Sequence, residues 1–246
     1  MRWLSITILI VSAIFFLFWS VLAEPIPEGE EGVEAENLTD LILKDINYEA
    51  WLHTGAIEWT FRERRSHLWD RERHLARLNW NDCISWIDLS TKLGKVKCGK
   101  YFLPISEAKE KIDEAWEIWA NDSFWLNPLA KLRDEGTIRK IVKIPNISPS
   151  LLVTYRSGGI TPGDSYLWKT DSTGHVIACQ MWVQILPLGG MHFTWEEWST
   201  LSTGARISSE HKGFVSVNLT NIKAAHSLKS LYPNEDPFIY LLDTGH

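Results

Sequence analysis

Eight histidines and three cysteines are the side chains of this sequence best suited to holding a metal. Their spacing does not support one. His53, His67, His74, His175, His192, His211, His226 and His246 form no H-x-x-x-H, H-x-H or H-E-x-x-H pair, and Cys83, Cys98 and Cys179 form no C-x-x-C. No metal or cofactor is therefore expected. Ser202-Thr203-Gly204 lacks the G-x-S-x-G elbow that exposes a serine nucleophile, and reads as a polar turn. The glycine-rich stretch 157–166, SGGITPGDSY, has no Gly-Lys-Ser/Thr and no helix pattern after it. Pro162-Gly163 suits the centre of a type II turn, so the stretch predicts a hairpin connection whose Thr161, Asp164 and Ser165 are candidate rim contacts. Carboxylates such as Asp70, Glu72, Asp82, Asp122 and Asp164 are scattered among arginines and lysines, and spacing selects no acid and base pair. A non-enzymatic protein is expected, with a hydrolase built on Asp122, Asp164 or His211 as the third of three readings.

Tryptophan stands in clearer order. Of fourteen, twelve lie beyond residue 23. Trp59, Trp69, Trp80, Trp86, Trp168, Trp182, Trp195 and Trp198 fall in runs that alternate apolar with polar, the period of a strand with one buried face. Each indole carries a large apolar area and one N–H that needs a partner. An apolar cavity lined by Trp59, Phe61, Trp69, Trp80, Trp86, Trp116, Trp119, Trp182, Phe193 and Trp195 is the candidate ligand site.

Strand patterns run over 56–62, 66–70, 74–80, 83–89 and 93–98, separated by gaps short enough for an antiparallel meander. A second series covers 138–144, 150–156, 165–169, 175–186, 191–198, 205–210 and 214–221, and 238–242 reads as a late strand or a packed arm. Two helices punctuate the order. One is amphipathic through Leu38, Leu41, Ile42, Ile46 and Ala50 with Asn37 or Thr39 as its cap. Ser106 caps the other, whose stripe is Ala108, Ile112, Ala115, Trp116 and Trp119; a turn or short helix over 121–128 follows. So many strands predict a mostly β protein: a curved antiparallel sheet forming an incomplete barrel with two or three helices on its concave side. Opposed in a hairpin around 90–94, Cys83 and Cys98 allow a disulfide, while three buried thiols are the alternative.

The ends place this body. Residues 4–23 are an apolar run behind Arg2, with Val21 and Ala23 suited to signal-peptidase cleavage and a length that also serves an uncleaved anchor. Residues 1–23 are thus a signal peptide or signal anchor, and the product is exported, periplasmic or held at the membrane facing outward. Residues 24–36 hold six glutamates and no base, which reads as an acidic flexible tether before a single β-rich domain over 37–246. Of the net charge of −6, the tether carries −6, the leader +1 and the body −1. Such a body lacks the basic stripe of a nucleic-acid binder.

The order of leader, helix, meander, helix with aromatic turn and second meander resembles the periplasmic lipoprotein carrier and receptor proteins LolA and LolB over about 37–222. IEWTFR, HLWDRERHLARLNW, NDSFWLN, LLVTYRSGGITPGDSYLW and MWVQILPLGGMHFTWEEWSTLSTGA are also similar to a family of uncharacterised exported bacterial proteins. The carrier resemblance implies a half-barrel whose apolar face accepts acyl chains; it assigns no residue here. The leading expectation is an exported protein binding a lipid or lipidated chain in an aromatic-lined half-barrel. Its rival is a membrane-anchored interaction or sensor domain whose tryptophans are core.

Overall fold

A computed structural model describes residues 24–143, 148–157, 161–185 and 189–242. The leader lies outside these residues, as do parts of the strand patterns at 144 and 186. The protein is mostly β, with two antiparallel sheets, neither closed into a barrel. It divides into two compact units, Met1–Thr39 with Asp134–Phe193 and Asp40–Arg133 with Thr194–His246, where a single body was expected. The physical reason is that its strands complete two separate hydrogen-bond ladders.

Unit two carries the nine-stranded ladder. Its strands are β1 (Ala56–Phe61), β2 (Arg65–Asp70), β3 (Leu75–Trp80), β4 (Cys83–Asp88), β5 (Leu93–Cys98), β6 (Tyr101–Phe102), and later β12 (Glu196–Thr200), β13 (Arg206–His211) and β14 (Val217–Ala225). The order is β12-β13-β14-β1-β2-β3-β4-β5-β6, so the predicted meander is present and the last three strands extend it on the β1 side. Pairing of Trp59 with His67, His67 with Leu78, Leu78 with Ser85 and Ser85 with Val96 sets one cross-sheet row. The next row runs Thr60, Ser66, Asn79, Ile84, Lys97 and Phe102, on the opposite face.

The first face is covered by a helix, Ile105–Leu126, which lays Ala108, Ile112 and Ala115 on Leu78, Trp80, Ile87 and Val96. This helix is the third in chain order, α3, after α1 (Val33–Asp45) and α2 (Tyr48–Leu52). It absorbs the predicted turn at 121–126 and stops where Asn127 leaves helical geometry before Pro128, which opens a 3-10 turn over Pro128–Lys131. Two short C-terminal helices, α4 (Leu228–Leu231) and α5 (Ile239–Leu242), cover part of the other face. Phe238, fully buried, packs there with Leu68, Leu75 and Trp86, and the Trp86 indole donates to the Pro237 carbonyl at 2.8 Å. Residues 228–242 are thus a packed arm with helical turns, and 239–242 are helical and not a strand.

Unit one carries β7 (Thr137–Val142), β8 (Ser150–Tyr155), β9 (Ser165–Thr170), β10 (Val176–Trp182) and β11 (Met191–Thr194), in the order β11-β10-β9-β8-β7. The predicted run 191–198 breaks at Trp195: β11 pairs in this sheet, and β12 in the other. The stretch 24–36 is docked, correcting the flexible tether. Glu30 exchanges backbone hydrogen bonds with Ile141, the Trp182 indole donates to the Glu24 carbonyl at 2.7 Å, and α1 starts at Val33 rather than at Asn37 or Thr39. A β-carbon on Gly29 would meet the Ile141 carbonyl oxygen at 2.8 Å, so this approach requires glycine. Glu34 and Glu36 sit in the first turn of α1, where the helix dipole favours negative charge, and Thr39 returns its hydroxyl to the Ala35 carbonyl from inside the helix.

Cys83 and Cys98, directly opposed across β4 and β5, form a disulfide, and Cys179 is a buried thiol. Closing a loop of 15 residues removes unfolded-chain entropy worth about 3 kcal/mol. Replacing both cysteines by serine is expected to lower the unfolding free energy by about that amount in urea titrations. An unchanged midpoint and slope would contradict it.

Candidate functional site

The expected pocket residues are placed by the alternation just described. Trp59, Phe61, Trp69 and Trp80 share the face under α3, with Trp116 and Trp119 on that helix. Trp59 stacks on His67 with ring centres 4.6 Å apart, and Trp69 meets Trp119 edge-on at 5.3 Å. Trp116 lies under the Lys92 ammonium at 3.3 Å. Trp86 points to the opposite face, into the arm. Trp195 is stacked near Trp125 and His211, while Trp182 and Phe193 belong to the other unit. The ten residues therefore serve several separate packing groups. A ring lining a ligand chamber presents surface to that chamber, yet Trp80 and Trp86 are each only 4% exposed, whereas Trp59 borders a polar cleft.

The rim candidates close their own turn. Thr161 hydrogen-bonds one Asp164 oxygen, the Gln184 backbone N–H donates to the other at 2.8 Å, and Ser165 pairs with Thr154. Antiparallel β8 and β9 flank this connection as expected.

Sequence reasoning missed two arrangements in unit two. The first is buried beneath α3. Asp122, fully buried, receives a two-pronged contact from Arg65, Nε at 2.7 Å and Nη2 at 2.8 Å, and a third bond from His67 Nε2 at 2.9 Å. Such a fork offsets the cost of burying the carboxylate. Burial keeps His67 below the usual histidine range even though Asp122 pulls the other way. No periodic signal could have paired residues 57 positions apart. Asp122 is thus engaged with Arg65, His67 and Asn121, and no hydrogen bond joins it to His211.

The second is an open cleft of about 130 Å³ lined by Glu58, Thr60, Ser66, Arg77, Asn79 and Asn221, with Trp59 and His67 below. A bulge builds it. Between the pairs Glu58–Lys223 and Thr60–Thr220, β14 spends one residue more than β1, and Asn221 takes a left-handed conformation with φ 53°. Its amide then reaches Thr60 Oγ1 at 3.3 Å. On one wall, Glu58 accepts from Lys223 at 2.7 Å and from the Tyr232 hydroxyl, and Arg77 approaches that same hydroxyl at 3.4 Å. Burial works against the Glu58 charge, but Lys223, Tyr232 and Arg77 outweigh it and hold the carboxyl below its usual range. On the floor, Asn79 Oδ1 is buried with no hydrogen-bond partner among the described residues. An orphaned acceptor beside two hydroxyls and an amide suits a ligand that brings a donor. The signal in the sequence was the polar set at every second position, 58, 60, 66, 77 and 79, within strands otherwise rich in tryptophan.

No family model matches the chain, and no curated protein matches it. Among solved structures, a DUF1329 family protein from Desulfovibrio piger is similar at 8% identity and a TM-score of 0.41, over 80% of this chain and 96% of that one.

His211 offers a direct test of the packing. Its ring lies 3.8 Å from that of Trp195 and 5.5 Å from that of Trp125, and burial lowers its pKa from 6.5 to about 3, with only the Trp125 backbone acting in the opposite sense. The folded state keeps the ring neutral, whereas the unfolded chain takes up a proton below about 6.5. Stability from this residue is complete above that pH and falls by about 1.4 kcal/mol per pH unit down to about 3. Denaturant melts across this window should show a shallower decline for His211→Leu than for the native chain; identical slopes would contradict the assignment.

Proposed function

We propose that this protein is an exported, non-enzymatic recognition domain that holds a small polar group of its ligand in the cleft between β14 and β3. The buried, unpartnered Asn79 Oδ1 carries this reading. Around it stand groups that discriminate by hydrogen bonding: Ser66, Thr60, the bulge residue Asn221 and the Glu58–Tyr232–Arg77 wall. Glu58 is held ionised and His67 is held neutral, so the titratable groups at the cleft bind rather than shuttle protons near neutrality. A volume of about 130 Å³ is below the usual range of roughly 300–1,000 Å³ for drug-sized ligands. It suits one hydroxyl- or amide-bearing unit. Export is supported by the apolar run 4–23 and by the Cys83–Cys98 disulfide, a bond that persists in oxidising surroundings. The interaction or sensor role is the form of this proposal in which residues 4–23 remain as an anchor. Ligand-observed NMR against a panel of monosaccharides and polar amino acids should reveal a binder whose signal disappears in Asn79→Leu. Silence across the panel, or signals indifferent to that substitution, would refute it.

A lipid or lipidated chain, as a half-barrel carrier would take, is the second reading. It is supported by the apolar surface of Leu68, Leu75 and Trp86 beneath the C-terminal arm. On this reading the arm must move. Removing residues 228–246 should create binding of a fluorescent fatty acyl probe, and a truncated chain that stays folded and binds none would count against it.

A further inference from the structure

The cleft between β14 and β3 holds a cation with donors to spare. Arg77 and Asn79 stand two residues apart on β3, so they share one face of the sheet at a separation of about 7 Å. Among the described residues, the Arg77 guanidinium makes a 3.4 Å bond to the Tyr232 hydroxyl, lies 5.8 Å from the centre of that ring and is drawn toward Glu58. A guanidinium presents several N–H donors in a planar fork, and one long bond leaves most of them open. Glu58 is already committed. Lys223 holds one of its oxygens at 2.7 Å, and the Tyr232 hydroxyl donates to the other. Glu58, Lys223 and Arg77 together leave a surplus of one positive charge at the cleft. Other acids of this face do not cancel it: Asp70 is held by Arg73, and Asp88 accepts from the backbone of its own turn. Glu63, at the turn after β1, accepts from Asn218.

We infer that the ligand of this cleft is a small hydroxycarboxylate, its carboxylate held by the Arg77 fork and its hydroxyl donating to Asn79 Oδ1. The inference rests on the cleft reading above and names the ligand class. Parallel N–H bonds from one guanidinium match the two oxygens of a carboxylate, and such charge-assisted pairs are stronger than neutral ones. Asn79 Oδ1 is buried, uncharged and unpartnered among the described residues, so it calls for a donor. A hydroxyl meets that need without adding charge. An amino acid meets it with an ammonium, and its zwitterion then carries no net charge to answer the surplus at the site. Ser66 and Asn221 stand in the same lining, where they can bond a second hydroxyl. Because the cleft is open, the remainder of a larger acid such as a uronate can stay in solvent.

The test is ligand-observed NMR titration with matched compounds: lactate and glycerate; propionate, which lacks the hydroxyl; glycerol, which lacks the acid; and alanine, which has an ammonium in place of the hydroxyl. Lactate and glycerate should bind most tightly. Arg77→Gln should weaken both about tenfold or more, Arg77→Lys, which keeps the charge and loses the fork, should fall between, and Asn79→Leu should bring lactate down to the level of propionate. An unchanged thermal unfolding midpoint will show that each variant is folded. Glycerol or alanine binding as well as lactate, or lactate binding that is indifferent to both Arg77 substitutions, would overturn the inference. If the monosaccharides bind and the acids do not, the carboxylate assignment falls and the cleft reading stands; if no compound of either kind binds, both fall.

Discussion

The two-residue alternation of the nine-stranded sheet governs what every other part of this molecule can do. Because neighbouring strands pair in register, a side chain's parity decides whether it meets α3 or the opposite face. Trp59, Trp69 and Trp80 share one parity with His67, and Glu58, Thr60, Ser66, Arg77 and Asn79 share the other. A slip of one residue would put indoles in water and carboxylates beneath a helix. The wide apolar stripe of α3 holds the register by covering only one of the two sets.

The two faces carry different chemistry for this reason. Under α3 the packing is largely aromatic and aliphatic, and the buried carboxylate of Asp122 is tolerated there because Arg65 and His67 satisfy it. The opposite face is shared between an apolar area under the C-terminal arm and a polar area left open. Tyr232 belongs to the arm and also reaches Glu58, so the segment that seals the apolar area builds one wall of the cleft. The bulge in β14 adds the remaining wall by turning Asn221 out of the ladder. A recognition surface made in this way rests on strands rather than mobile loops, which favours a fixed geometry for hydrogen bonding.

Much of the fold was legible beforehand because it depends on local periodicity. The meander from β1 to β5 and the helix opened near Ser106 came from alternation at two residues and from a stripe at three and four. Segment 24–36 was misread for an equally local reason: its glutamates suggested disorder, whereas its order comes from backbone pairing with Ile141, for which composition carries no signal. The break at Trp195 escaped notice because both halves alternate well, and only their ladder partners distinguish them.

By itself the sequence determined the β-rich class and the burial of most indoles, since these depend on residue type and short-range spacing, whereas it left Cys83 and Cys98 open between a disulfide and free thiols until the register of β4 and β5 opposed them. Tertiary structure alone decided what the tryptophans enclose. Trp59, Trp86 and Trp195 have similar sequence surroundings, yet one lies under α3, one under the arm and one against His211. Their count set how much apolar surface had to be hidden. Whether hiding it leaves a cavity depends on which surfaces meet, and that is set by contacts between residues far apart in the chain.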